Sequence, residues 1–189
     1  MNFTGRLVLI RHGETEWSKS GQHTGRTDIP LTDVGRSEAR DARGTLADWN
    51  FEAVFSSPLV RAAETAEIVG LTPPITFSDR LMEWDYGEAE GITTETLRET
   101  TPLWSVWTHG EGLGETVDEV GGRVDAFLEE ELPASDGDVA VFAHGHYLSI
   151  FLARWLQLDA IEGRRFKLKT ATVSLVCLLY TSPSPRDRG

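Results

Sequence analysis

Two short apolar runs in this chain end in the same manner. Leu7-Val8-Leu9-Ile10 stops at Arg11-His12-Gly13-Glu14-Thr15, and Val139-Ala140-Val141-Phe142-Ala143 stops at His144-Gly145-His146. Arginine offers a planar fork of donors that matches phosphate oxygens. Imidazole can attack an electrophile or carry a proton near neutral pH, and glycine lets the backbone approach a ligand closely. Two more groups join this set. Arg61 follows Ser56-Ser57-Pro58-Leu59-Val60, and Glu83 lies in Leu81-Met82-Glu83-Trp84-Asp85-Tyr86-Gly87. In-line phosphoryl transfer needs an attacking group, cations on the equatorial oxygens and a proton for the leaving group. Two imidazoles, two guanidiniums and an acid supply each of these.

The elements that must position these groups follow from pattern. The two apolar runs are fit for buried strands. Glu16–Asp28, with its serines and glycines, reads as a loop whose hydroxyls and glycine N–H groups, at Ser18, Thr24 and Gly25, can line an anion site near Arg11 and His12. Thr32 is placed to cap a helix that carries Val34, Ala39, Ala42 and Leu46 to about Asp48. Ala53-Val54-Phe55 predicts a strand, after which Ser57-Pro58 predicts a helix start with Ser57 as cap, Arg61 in the first turn and Gly70 at the end. A helix N-terminus favours anions, so an arginine there strengthens a phosphate contact. Glu83, an acid among large apolar side chains, is preferred over Asp85 as proton donor near neutral pH.

Residues 91–114, with Trp104 and Trp107, predict a helix and then a long flexible loop, a frequent form of lid. Thr116-Val117-Asp118-Glu119 is a capping box, followed by Val120, Val124, Phe127 and Leu128 at helical spacing. His144 and His146 are expected on one strand face, ahead of an apolar helix from Tyr147 to Leu158 and a last strand within Phe166–Val176. Strands alternating with helices point to an α/β fold, a three-layer α/β/α sandwich around a mostly parallel sheet, in one domain over 1–176. Ligands of such sheets gather at the C-terminal strand ends. Arg11, His12 and His144 all fall there.

Composition sets outer limits. The 189 residues are enough for a sizeable core, and 40% hydrophobic with 25% charged residues is ordinary for a folded protein. A net charge of -12 argues against nucleic acid and anionic membranes as partners, so any phosphate affinity must be local. No apolar run reaches the roughly 18 residues of a bilayer span, and no signal peptide opens the chain, so a cytoplasmic location is expected. Cys177 alone excludes an internal disulfide. From Cys177 to Asp187 the sequence looks like an in-frame translation of a transposon-type sequencing adaptor. We therefore expect 177–189 to be a non-native tail and the domain to be cut short near Val176.

Taken together, Arg11-His12-Gly13-Glu14-Thr15, Trp17, Thr24-Gly25, Leu31-Thr32, Gly35, the Ser57–Arg61 segment, Glu83 to Gly87 and His144-Gly145-His146 resemble the histidine phosphatase superfamily, the phosphoglycerate mutase-like proteins. The resemblance extends from about Arg6 to Val176, and it is nearest to the sugar-bisphosphatase and broad acid-phosphatase branches. It implies that His12 is the nucleophile and forms a phosphohistidine. Arg11, Arg61 and His144 then hold the phosphoryl oxygens, and Glu83 donates the proton. On the substrate side it implies Ser18, where many relatives carry Asn, with His23, Thr24, Gly25, Trp84, Tyr86 and His146. The expected activity is hydrolysis of a small phosphate monoester, such as a sugar phosphate, with no cofactor and no metal.

The five histidines, His12, His23, His109, His144 and His146, could suggest a metal, but no His-Glu-x-x-His, cysteine pair or carboxylate cluster accompanies them, and nearby arginines would repel a dication. A phosphoglycerate mutase usually carries a long insertion between the acid and the second histidine, whereas residues 84–143 are already assigned to helix and loop. A non-catalytic phospho-ligand module would be attractive only if His12 or Glu83 were missing. The sequence is silent on oligomeric state.

Overall fold

The computed structural model describes residues 3, 5–109, 114–132 and 136–177. Five strands, β1 (Arg6–Arg11), β2 (Phe51–Ser56), β3 (Ile75–Phe77), β4 (Asp138–Ala143) and β5 (Val173–Cys177), form one sheet in the order β3-β2-β4-β1-β5. All pairings are parallel except β1 with β5. The helices are α1 (Glu16–Ser20), α2 (Asp33–Leu46), α3 (Val60–Val69), α4 (Thr94–Thr100), α5 (Val106–His109), α6 (Val117–Ala126) and α7 (Gly145–Trp155).

Strand alternation makes the three layers. Leu7 and Leu9 of β1 and Val139 and Val141 of β4 share one core with Val120, Val124, Tyr147 and Phe151 of α6 and α7. Their neighbours Val8, Ile10, Ala140 and Phe142 point the other way and share a second core with Ala42, Leu46, Ala66 and Val69 of α2 and α3. The strands are buried on both faces, which explains why they read as continuous apolar runs. The expected three-layer α/β architecture is therefore present.

Local signals held at several ends. Thr32 caps α2 by accepting from Gly35 N–H, Thr116 and Glu119 form the capping box of α6, and Gly70 closes α3 in the left-handed region (φ 65°). Four expectations are corrected. Residues 16–20 are helical, because Thr15 and Ser18 form a reciprocal capping box and Gly21 (φ 81°) ends the turn. Ser57 does not cap α3, whose N-cap is Leu59, since the Ser57 hydroxyl turns inward. His144 and His146 do not share a strand face: β4 stops at Ala143, so His144 is the N-cap residue of α7 and His146 lies in its first turn. The 91–109 segment holds two short helices joined through the buried Trp104, and Trp107 of the second packs edge-on against Trp84. It is thereby anchored, while 110–113 of the expected lid and 178–189 of the expected tail lie outside the described residues. Among the described residues no helix is long and apolar enough to cross a membrane.

Candidate active site

Register delivers the first half of the site. Arg11 pairs with Ala143 across the parallel β1 and β4, and Ser56 of β2 pairs with Phe142. The next residue on each strand leaves the sheet at the same level. Thus His12, Ser57 and His144 meet at the C-terminal edge, and His12 and Ser57 each donate a backbone N–H to β4, to Ala143 and Phe142 at 3.0 and 2.9 Å. The His12 and His144 rings lie 5.2 Å apart, centroid to centroid, and both are buried.

The His12 ring is fixed from behind. Its Nδ1 lies 2.7 Å from the Gly13 carbonyl oxygen, which can only accept, so Nδ1 carries the proton and Nε2 keeps its lone pair. Burial, with the Arg11 and Arg61 charges beside it, holds His12 well below the usual imidazole range. The ring is consequently neutral and nucleophilic at pH 7. Gly13 in turn donates to Thr65 Oγ1 (3.1 Å), and its α-carbon faces Gly35, where a Cβ would stand 2.4 Å from a backbone oxygen. Only glycine permits the chain just past β1 to run this close to α2.

Burial, then the charges of Arg61, His12 and Arg11, also depress His144. Its Nε2 lies 2.8 Å from Ser57 Oγ, which itself accepts from Leu59 N–H (3.3 Å). The serine proton is then free to go to Nε2, which leaves Nδ1–H as a donor. Arg11 donates Nη1 to the Leu168 carbonyl (2.6 Å), and Arg61 donates to the carbonyls of Thr24, Gly25 and Thr27 at 3.2, 2.8 and 3.1 Å. Among the described residues four buried side-chain polar atoms lack a partner, and three of them are Arg11 Nε, Arg61 Nε and His144 Nδ1. Unmatched buried donors are rare, and three in one place describe a receptor for an acceptor-rich anion.

Glu83 closes the site from the opposite side. It sits at the N-terminus of α7, where Oε1 accepts from the backbone N–H of Trp84 (3.0 Å) and Tyr147 (2.8 Å) and Oε2 from that of His146 (3.1 Å). Behind it, Arg123 donates to the carbonyls of Arg80 (2.8 Å), Met82 (2.9 Å) and Glu83 (3.4 Å) and pairs with Glu115 (2.6 Å). Glu115 also accepts from Asp85 N–H and Arg26.

A cavity of about 360 Å³ opens beside these groups, lined by Arg11, His12 and Glu83 and by five of the anticipated substrate-side residues, Ser18, His23, Thr24, Tyr86 and His146. His23, Tyr86 and His146 form an aromatic wall, with His23 and Tyr86 centroids 5.1 Å apart and Trp107 5.3 Å from His146. Burial and the neighbouring His146 lower His23 to about 4, and burial lowers His146, so this wall is uncharged at pH 7. The Ser18 hydroxyl is engaged with Thr15 in the cap of α1. Gly25 and Trp84 do not line the cavity: Gly25 gives its carbonyl to Arg61, and Trp84 lies beneath, donating its indole N–H to the Glu115 carbonyl. Sequence reasoning missed Gln22, Trp107, Arg164 and Lys167 in the lining, and it missed Ser57 beside His144. The Ser56-Ser57 pair ending an apolar strand was the available signal for the last.

Known proteins resemble this chain over most of its length. The chain is 43% identical over 173 residues to an acid phosphatase of Mycobacterium tuberculosis, covering 90% of this chain and 85% of that one. It is 34% identical over 189 residues to a sedoheptulose 1,7-bisphosphatase of Saccharomyces cerevisiae, covering 83% and 69% respectively. A solved structure of an open reading frame from Mycobacterium tuberculosis superposes with a TM-score of 0.85 at 41% identity, over 94% of this chain and 93% of that one. The family model of the histidine phosphatase superfamily (branch 1) matches residues 7–186. The chain belongs to the histidine phosphatase superfamily and is a phosphoric monoester hydrolase.

Proposed function

We propose that the chain hydrolyses a small phosphate monoester, a sugar phosphate in class, through a phosphohistidine on His12. His12 Nε2 attacks phosphorus as the ester P–O bond breaks. Arg11, Arg61 and His144 donate to the equatorial oxygens, and Glu83 gives its proton to the leaving alkoxide. Water then attacks the N–P bond, Glu83 recovers a proton from it, and inorganic phosphate leaves His12 in its starting state. Glu83 Oε2, with one N–H partner against two on Oε1, is the oxygen with room left to face the leaving group.

The observation that carries the reading is the set of three unpartnered buried donors around an imidazole whose Nδ1 is already engaged. The cavity volume suits a phosphorylated sugar, and the names of the acid phosphatase and bisphosphatase relatives support the reaction class. Incubation with p-nitrophenyl phosphate and, separately, 3-phosphoglycerate tests it. Release of inorganic phosphate that is lost in His12→Ala, with acid-labile label on the wild-type chain after rapid quench, is the expected result. Isomerisation of phosphoglycerate without release would instead identify a mutase, and phosphate binding without either reaction a binding module.

A further inference from the structure

The buried guanidinium of Arg61 is held, through single peptide groups, by a carboxylate that has no part in the scheme above. Arg61 Nη2 donates to the Gly25 carbonyl (2.8 Å), and the N–H of the same peptide, on Arg26, donates to Glu90 Oε1 (2.6 Å). In a trans peptide the carbonyl and the N–H point in opposite directions, so the cation and the carboxylate grip one plane from its two sides. Thr27 repeats the arrangement. Its carbonyl accepts from Arg61 Nη1 (3.1 Å), while its N–H (2.8 Å) and its hydroxyl donate to Glu90 Oε2.

Glu90 is itself anchored. Its N–H donates to the Gly87 carbonyl (3.2 Å), and the residues after it are laced to the cavity wall, Gly91 N–H to the His23 carbonyl (2.9 Å) and His23 N–H to the Ile92 carbonyl (3.0 Å). A Cβ on Gly25 would stand 2.5 Å from the Trp84 carbonyl oxygen and press on Glu90 Oε1 as well, so the turn is enclosed as well as bonded. Burial lowers the Arg61 pKa, and Glu83, Asp28 and Glu90 are the carboxylates that act against it. Glu83 carries a proton when substrate binds in the scheme above, which leaves Asp28 and Glu90. Asp28 Oδ1 accepts from Val60 N–H (2.8 Å) at the start of α3, whereas Glu90 acts on the turn that Arg61 holds. Hydrogen bonds in series strengthen one another where water is excluded.

We propose that Glu90 is a positioning residue for phosphoryl binding: by gripping the N–H side of the 25–27 turn it fixes the carbonyls that hold Arg61, and so keeps the unpartnered Arg61 Nε aimed at the phosphate. This rests on the phosphatase reading and adds to it a residue outside the cavity lining. The phosphoryl seat is common to every ester. Glu90→Ala should therefore lower kcat/KM by the same factor on an alkyl phosphate and on p-nitrophenyl phosphate, whereas a displaced proton donor would penalise the alkyl ester more.

The test is a double-mutant cycle on the full chain, with the Kd of orthovanadate read by isothermal titration calorimetry for wild type, Glu90→Ala, Arg61→Lys and the pair. An ammonium at position 61 keeps the charge but not the fork that spans the turn. Glu90→Ala is expected to weaken Kd about tenfold beside Arg61 and less than about twofold beside the lysine. Calorimetry fits the number of sites apart from Kd, so a partly unfolded sample does not imitate this result. Should Glu90→Ala fail to fold in a circular-dichroism melt, Glu90→Gln, which keeps one acceptor oxygen for the turn, takes its place with an expected weakening of about threefold. A Kd unchanged by the position-90 variant, an equal weakening in both backgrounds, or unequal losses on the two esters would overturn the proposal. Failure of the phosphatase reading shows separately, as phosphate release that survives His12→Ala.

Discussion

Among the described residues Arg123 makes no hydrogen bond or ion pair to a cavity-lining side chain, yet its removal should impair turnover. Its guanidinium holds the carbonyls of Arg80, Met82 and Glu83 and pairs with Glu115, whose carboxylate also holds Asp85 N–H. The turn that presents Glu83 is thereby clamped to α6. Substituting Arg123→Met leaves those carbonyls without their donor and Glu115 without its principal counter-charge. Breaking a fully buried pair from one side costs about 3–5 kcal/mol. Both side chains here retain 18% exposure, which lowers the expected loss to about 2–3 kcal/mol. For a domain of this size that corresponds to a fall in Tm of about 5–10 °C in a thermal melt. A shift of about 1 Å in a catalytic group can cost about a hundredfold, so kcat should fall about ten- to a hundredfold with KM within about threefold. Arg123 is a positioning residue, and its kinetic signature follows from the group it positions. An alkyl phosphate needs a proton on its leaving oxygen far more than p-nitrophenyl phosphate does, so the variant should lose more activity on the alkyl ester. Equal losses on both esters, or a Tm within 1 °C of wild type, would refute the clamp. So would a double-mutant cycle with Glu115→Gln that proves additive within about 0.5 kcal/mol.

Further outcomes follow from the same geometry. His12, His23, His144 and His146 all sit below their ordinary value of 6.5, burial being the first cause in each case. The unfolded chain takes up protons first as the pH falls, so stability is full above about pH 6.5 and is lost below it; melts between pH 7.5 and 5 should show a falling Tm, and a flat profile would contradict neutral rings. Gly13→Ala drives a Cβ to 2.4 Å from the Gly35 oxygen, and because backbone cannot yield as a side chain does, urea unfolding should show a loss of about 1–3 kcal/mol together with loss of phosphatase activity. Ser57→Ala leaves His144 Nε2 buried without its hydroxyl partner, and the equilibrium loss of about 1–3 kcal/mol should come with weaker inhibition by orthovanadate, read from its Ki.

The framework was legible because strands buried on both faces print as apolar runs, and the residues that end them, Arg11-His12 and His144, announce themselves by chemical type. Capping chemistry fixed Thr32 and Thr116 equally well, since the signal lies within four residues. What escaped depends on contacts across the chain. The separation of His144 from His146 turns on where β4 gives way to α7, a boundary that the Gly between them does not specify. The short helix α1 was hidden by its serines, of which Ser18 completes the capping box with Thr15. Arg164 and Lys167 look like ordinary surface cations until the 160–168 segment folds over α7 and brings them to the cavity.

In the proposed scheme Arg61 does two jobs at once. Three of its bonds latch the 24–27 turn, which continues directly from His23 on the cavity wall, while its Nε remains for an anion. Whatever seats an anion on that guanidinium also secures the latch, and whatever loosens the turn weakens the seat, by equal amounts of free energy in either direction. In that scheme ligand capture and the hold on that stretch of wall are linked equilibria.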